Sequence, residues 1–73
     1  MSIDYSSMLL SIVIPVYNAG KTIHILVDEL IAALDSKCIL EIILVNDNSA
    51  DNSEEACISI YEKYKKNVKF YSL

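Results

Sequence analysis

An apolar run that stops abruptly in a polar cluster lies in the middle of the sequence and constrains the fold more than any other feature. The run Ile42–Val45 is mostly β-branched, which favours a strand, and its four consecutive apolar residues favour burial on both faces. Residues 46–52 are nearly all amides, acids and hydroxyls, whose short side chains bond to nearby backbone in turns and helix caps. The stretch 41–53 therefore predicts a strand, a polar loop and the start of a helix.

The preceding segment predicts a strand followed by a helix. Residues 8–16 are almost continuously apolar and predict the first strand, with Pro15 near its end, where a missing backbone donor is tolerated. Gly20 is expected to take a positive φ in the following turn. Apolar residues then recur at helical spacing, which predicts a helix over residues 22–35. Its predicted buried stripe is Ile23, Leu26, Val27, Leu30, Ile31 and Leu34, and Asp28, Glu29 and Asp35 are expected in solvent.

The following segment predicts a second helix and a third strand. Residues 36–40 connect the first helix to the second strand. Asp51 precedes Glu54 by three positions and predicts a capping box for a helix over 52–65. Residues 68–73 have room for a third strand. The predicted buried stripe of the second helix is Ala56, Cys57, Ile60, Tyr61 and Tyr64.

This alternation of strands and helices predicts an α/β fold with a three-stranded parallel sheet and right-handed crossovers. With the strand order 3-2-1, both helices cover one face and leave the other bare. Since 53% of the 73 residues are hydrophobic, we expect self-association or further chain on that bare face. Residues 1–8 are expected to fray, and 9–73 to form an incomplete domain.

Composition excludes several classes of function. The net charge of −4 disfavours nucleic-acid binding, and a single glycine rules out the usual phosphate-binding loops. Cys38 and Cys57 lack CxxC spacing, and the first seven residues lack the positive charge of a signal peptide, so a reducing cytoplasmic location is expected. His24 has no second ligand at a useful spacing, and we predict neither a metal site nor catalytic residues in this chain.

Two loops carry the candidate chemistry, one after each of the first two strands. In a parallel sheet both loops emerge at the same edge, where open α/β sheets bind ligands. Tyr17 offers a ring for stacking on a base, and Asp47 offers a carboxylate that accepts from a base N–H or a ribose hydroxyl. Alternatively, Tyr17 packs over the strand end and Asp47 caps a turn.

The motifs S-I-V-I-P-V-Y-N at 11–18 and E-I-I-L-V-N-D-N-S-A-D-N-S at 41–53 resemble the N-terminal, nucleotide-binding part of family 2 glycosyltransferases with the Rossmann-like GT-A fold. The nearest likeness is to members that load a sugar onto a polyprenyl phosphate, in which a strand like N-V-K-F-Y-S-L at 67–73 also recurs. The resemblance implies a partial GT-A βαβαβ unit. It also implies that Pro15, Tyr17, Asn18 and Asp47 line the nucleotide pocket.

The same resemblance implies the chemistry of the full-length family. Its members transfer a sugar from a nucleotide donor, here expected to be UDP-linked, to a polyprenyl phosphate or another acceptor, at times at the cytoplasmic face of the membrane. A divalent cation, Mg²⁺ or Mn²⁺, is expected for them. The family's metal motif, catalytic base and acceptor site come later than residue 73, so the chain alone is expected to be inactive.

Two other hypotheses remain open from the sequence. The chain is alternatively a small α/β interaction module that dimerises through its bare sheet face and binds no nucleotide. A receiver-like signalling domain is suggested by the acid at a strand end, although receivers place an acid pair where this chain has Tyr17 and Asn18.

Overall fold

A computed structural model describes residues 6–47 and 53–73 as a three-stranded parallel sheet with two helices. The elements in chain order are β1 (Leu9–Val16), α1 (Ile23–Leu34), β2 (Ile39–Asn46), α2 (Ser53–Lys63) and β3 (Val68–Ser72). The sheet order is β1-β2-β3, with both pairings parallel. The predicted α/β class, element order and strand order are confirmed. No helix within the described ranges has both the length and the apolar character needed to span a membrane.

Strand β2 is longer than predicted at both ends. Ile39 and Leu40 were expected in the connection and Asn46 in the loop, yet all three lie in the strand. The ladder with β1 provides the reason, because each residue of β2 pairs with one of β1, from Leu9 opposite Ile39 to Val16 opposite Asn46. The Asn46 carbonyl also accepts from the Leu73 amide at 2.9 Å. Pairing on both sides outweighs the turn preference of Asn46.

Both helices pack on the same face of the sheet and enclose the core. Side chains alternate across β2, so Leu40, Ile42 and Leu44 point towards the helices and are at most 4% exposed. The helices contribute buried residues to the same cluster, namely Ile23 and Val27 from α1, and Ala56, Cys57 and Ile60 from α2. Cys38 and Cys57 are free thiols, and Cys57 packs as a small apolar side chain.

The buried stripes of the helices are narrower than predicted. Leu26 is 43% exposed and Tyr61 is 41% exposed, although both were expected in the core. Each helix covers only part of a three-stranded sheet and meets one neighbouring helix, so residues at the margin of its apolar stripe stay in contact with solvent. Helix α2 also ends at Lys63, before the predicted end at residue 65, and the Tyr64 carbonyl accepts from the amides of Asn67 and Val68.

Asn67 joins the amino ends of β2 and β3. Its side-chain amide donates to the Leu40 carbonyl at 3.1 Å and to Asp35 Oδ1 at 3.0 Å, and its carbonyl accepts from the Ile42 amide at 2.8 Å. Asn67 is only 9% exposed, so these bonds satisfy polar groups that water does not reach freely. Asp35 is exposed, as predicted, and its carboxylate also takes part in this structural network.

The second sheet face is bare in the described part of the chain, as the sequence predicts. Val13 is 60%, Ile39 55% and Tyr71 54% exposed on this face. A polar line formed by Ser11, Glu41 and Lys69 crosses this face, and it was not among the sequence-based predictions. Ser11 Oγ donates to Glu41 Oε1 at 2.8 Å, and Lys69 Nζ lies 2.7 Å from Glu41 Oε2. The face is therefore apolar on both sides of a neutralised ion pair.

Asp28, also predicted to be solvated, links the two helices. The Tyr64 hydroxyl and Lys63 Nζ both donate to Asp28 Oδ1, the latter at 3.1 Å. The hydrogen bond from Tyr64, followed by that from Lys63, lowers the pKa of Asp28 below its ordinary value of 3.8. A carboxyl whose pKa is lower in the folded state stabilises the fold above its unfolded pKa. That stabilisation is lost as the pH falls through the folded pKa.

We therefore expect Asp28→Asn to lower the melting temperature by a few degrees at pH 7. The difference from the wild type should shrink as the pH falls below 3.8, because protonation removes the same charge from the wild type. Thermal unfolding followed by circular dichroism between pH 2 and pH 7 measures this. Glu29→Gln, an exposed neighbour on α1, is the control and should change little. A pH-independent difference would contradict the interpretation.

Candidate functional site at the carboxyl edge of the sheet

The two candidate loops begin side by side at the carboxyl edge of the sheet. The last residues of β1 and β2, Val16 and Asn46, are partners in the parallel ladder. Tyr17 and Asp47 each follow directly, and the Asp47 amide lies 3.4 Å from the Val16 carbonyl oxygen that accepts its hydrogen bond. The backbone therefore brings an aromatic residue and a carboxylate to one edge, in the arrangement that the sequence predicts.

Tyr17 and Asp47 are both open to solvent. Tyr17 is 67% exposed, which does not fit the alternative in which its ring packs over the strand end. Asp47 is also exposed. An exposed ring beside an exposed carboxylate can receive a flat, polar ligand, since the ring stacks and the carboxylate accepts hydrogen bonds.

Pro15 and Asn18 flank Tyr17 in different ways. Pro15 is exposed on β1, which is an edge strand of the described sheet and so tolerates the missing donor. Asn18 has a φ of 50°, whereas Gly20 does not take the positive φ predicted for it. Asn is among the few non-glycine residues that adopt this left-handed conformation readily. Asn18 thus makes the sharp turn directly after Tyr17.

Ala19 fixes the far side of this turn through its backbone. Its amide donates to Ser53 Oγ at 3.1 Å, across 34 residues of sequence. Its carbonyl accepts from the amides of Thr22 and Ile23, both at 3.0 Å, at the start of α1. Sequence reasoning missed Ser53. A serine at a helix start is a familiar capping signal, but sequence alone does not identify a tertiary partner such as Ala19.

The described residues offer no set of metal ligands. Within residues 6–47 and 53–73, no three His, Cys, Asp or Glu side chains come together. The predicted capping box includes Asp51, which lies outside the described residues.

Two concavities lie at the opposite, amino end of the sheet. One of about 360 Å³ is lined by Met8, Leu9, Leu10, Leu34, Lys37 and Cys38. Another of about 140 Å³ is lined by Asp35, Cys38, Ile39, Leu40, Lys66 and Asn67. The surface of the first is almost wholly apolar, and Lys37 is the one charged residue in its lining, so it suits a polar nucleotide poorly. We assign the candidate site to the carboxyl edge because the groups suited to a nucleotide are there, although the surface is open.

Comparison with known proteins places this chain beside glycosyltransferases. The model of the glycosyl transferase family 2 matches residues 11–73. The chain is 43% identical over 51 residues to glycosyltransferase GlyG of Streptococcus pneumoniae, covering 70% of this chain and 16% of that protein. It is 41% identical over 59 residues to the uncharacterized glycosyltransferase YibD of Escherichia coli, covering 81% of this chain and 17% of that protein. The chain thus spans about a sixth of the length of these relatives.

Proposed function

Because this chain belongs to the family 2 glycosyltransferases, we propose that its carboxyl edge binds the nucleotide of a nucleotide-sugar donor, with UDP as that nucleotide. The observation that carries the proposal is the placement of Tyr17 and Asp47, each one residue beyond a paired strand end. Family membership also argues against the receiver-like hypothesis, because a nucleotide-binding role explains the acid at the end of β2 in a different way.

Each residue of the proposed site has a distinct role. Tyr17 stacks on the uracil ring, because its exposed face is at the sheet edge. Asp47 accepts hydrogen bonds from the base N–H or a ribose hydroxyl. Asn18 shapes the turn through its positive φ, and Pro15 stiffens the end of β1 before Tyr17. These roles concern binding and orientation, and none of them is a step of sugar transfer.

We extend the proposal to the enzymes that contain this unit. In this proposal, a longer enzyme that contains this unit transfers the bound sugar to a polyprenyl phosphate or another acceptor on the cytoplasmic side of the membrane. A divalent cation would neutralise the donor diphosphate in those enzymes. The proposed role of this chain is to hold the nucleoside through Tyr17 and Asp47.

Titration of UDP into the isotopically labelled chain, followed by NMR, tests the proposal. We expect weak binding, with shifts at Tyr17 and Asp47 that change little when Mg²⁺ is added. Tyr17→Ala should weaken binding about 5- to 150-fold, as expected for loss of ~1–3 kcal/mol of stacking. Asp47→Asn should weaken it less, because the amide oxygen still accepts one hydrogen bond.

Two control variants separate specific binding from a general change at the surface. Tyr61→Ala removes an aromatic side chain that is 41% exposed on α2, and Glu29→Gln removes an exposed acid from α1. Both should leave the affinity for UDP unchanged. A tight, Mg²⁺-dependent site formed by other residues would contradict the proposal. The absence of shifts at Tyr17 and Asp47, in a chain that self-associates, would favour the interaction module that binds no nucleotide.

A further inference from the structure

We propose that Ser53 is a positioning residue that holds the Tyr17–Asn18 turn in the geometry required for nucleotide binding. The inference rests on the proposed function, because it concerns how that site is organised. Ser53 begins α2 and is fully buried, so its side chain has no exposed surface with which to contact a ligand. Its influence on the site must therefore act through the backbone that it binds.

Ser53 is connected to the site by a hydrogen bond with Ala19. Ser53 Oγ accepts from the Ala19 amide at 3.1 Å in partly buried surroundings. The Ala19 carbonyl meanwhile accepts from the Thr22 and Ile23 amides at the start of α1. Ala19 is thus tied to the first residues of both helices. These bonds therefore also hold the Tyr17–Asn18 turn, which directly precedes Ala19.

The left-handed backbone at Asn18 makes this tie important. Its φ of 50° lies in a region that asparagine adopts more readily than other non-glycine residues, but still less favourably than ordinary backbone angles. Val16 fixes the turn on one side, since it is fully buried and paired in the ladder. Ala19 fixes it on the other side. If the Ala19 amide loses its acceptor, the turn can relax towards ordinary backbone angles and carry Tyr17 away from Asp47.

The test compares UDP affinity in Ser53→Ala with that in matched variants. Ser59→Ala removes the same hydroxyl from an exposed position of α2, and Ile60→Val trims a fully buried side chain of that helix without altering the turn. Ser53→Thr keeps an acceptor oxygen. We expect about tenfold weaker binding for Ser53→Ala, near-wild-type binding for Ser59→Ala and Ile60→Val, and substantial rescue in Ser53→Thr. A tenfold loss corresponds to ~1.4 kcal/mol at 25 °C.

The Ile60→Val variant distinguishes positioning from general stability, since it weakens the core without removing the acceptor. Equal affinity of wild type and folded Ser53→Ala would overturn the inference while leaving the proposed function intact. Failure of the wild type to bind UDP at Tyr17 and Asp47 would instead overturn the proposed function.

A measurement on the wild type keeps the inference testable if Ser53→Ala does not fold. Amide hydrogen exchange at Ala19 should be slow, because its donor is bound to a buried oxygen. Exchange at the rate of an open loop would show that the bond to Ser53 does not hold in solution and would overturn the inference. We also expect UDP to shift the Ala19 amide resonance together with that of Tyr17.

Discussion

At micromolar concentration, we expect the 73-residue chain to sediment as a dimer or larger species joined through the bare face of its sheet. Val13, Ile39 and Tyr71 are each more than half exposed there. Covering an apolar patch of several hundred Å² favours association by several kcal/mol at ~25 cal/mol per Å², before the loss of translational and rotational freedom is counted. The polar line does not prevent this, because Glu41 is already paired with Lys69 and accepts from Ser11.

A pair of substitutions matched in exposure locates the interface. Val13 on the bare face and Ile25 on α1 are both 60% exposed. Val13→Lys should weaken self-association at least tenfold, because it places an unpaired ammonium in the buried surface. Ile25→Lys adds the same charge elsewhere and should have little effect. Sedimentation velocity across a concentration series gives the self-association constant of each variant.

The opposite result is equally informative about the fold. A monomer with well-protected amides that does not bind a hydrophobic dye would show that the chain covers its own sheet. The topology, with both helices on one face, would then be wrong. Loss of association in Ile25→Lys with no change in Val13→Lys would move the interface to the helical surface.

The sequence predicted the sheet and the placement of the helices because both follow from periodicity. The mostly β-branched run Ile42–Val45 favours a strand, and the spacing from Ile23 to Leu34 fits one helix face. The features that could not be predicted from the sequence depend on tertiary contacts. Asn46 continues β2 because ladders lie on both sides. Asp28 links the helices, although its side chain stays 44% exposed, because Lys63 at the end of α2 and Tyr64 just after it donate to its carboxylate.

The candidate site likewise has a part that the sequence predicts and a part that depends on tertiary contacts. Tyr17 and Asp47 could be placed at one edge from topology alone, because parallel strands end together. The shape of the turn between β1 and α1 could not be predicted from topology. Gly20 is the residue expected to take a positive φ, and Asn18 takes it instead. Ser53 was also missed, because its contact with Ala19 crosses 34 residues and follows from how α2 sits against the turn.

Adjacent isoleucines on β2 should differ sharply in their contribution to stability. Ile42 is fully buried beneath the helices, whereas Ile43 is partly exposed on the other face, between Val13 and Lys69 in the ladder. Ile42→Ala removes buried methyl and methylene groups and leaves a cavity, which costs about 2–5 kcal/mol. A domain this small has a stability at the low end of ~5–15 kcal/mol. We therefore expect Ile42→Ala to lose a large part of the stability of the fold and to unfold at a much lower urea concentration than the wild type.

Ile43→Ala makes the same chemical change one residue away and should leave the monomer folded. Its main effect should be weaker self-association, because it removes apolar surface from the bare face. Urea unfolding monitored by circular dichroism measures the first effect, and sedimentation measures the second. Similar losses of stability in the two variants would mean that both faces of β2 are buried within one chain. Such a result would contradict the alternating exposure on which both the bare face and its self-association depend.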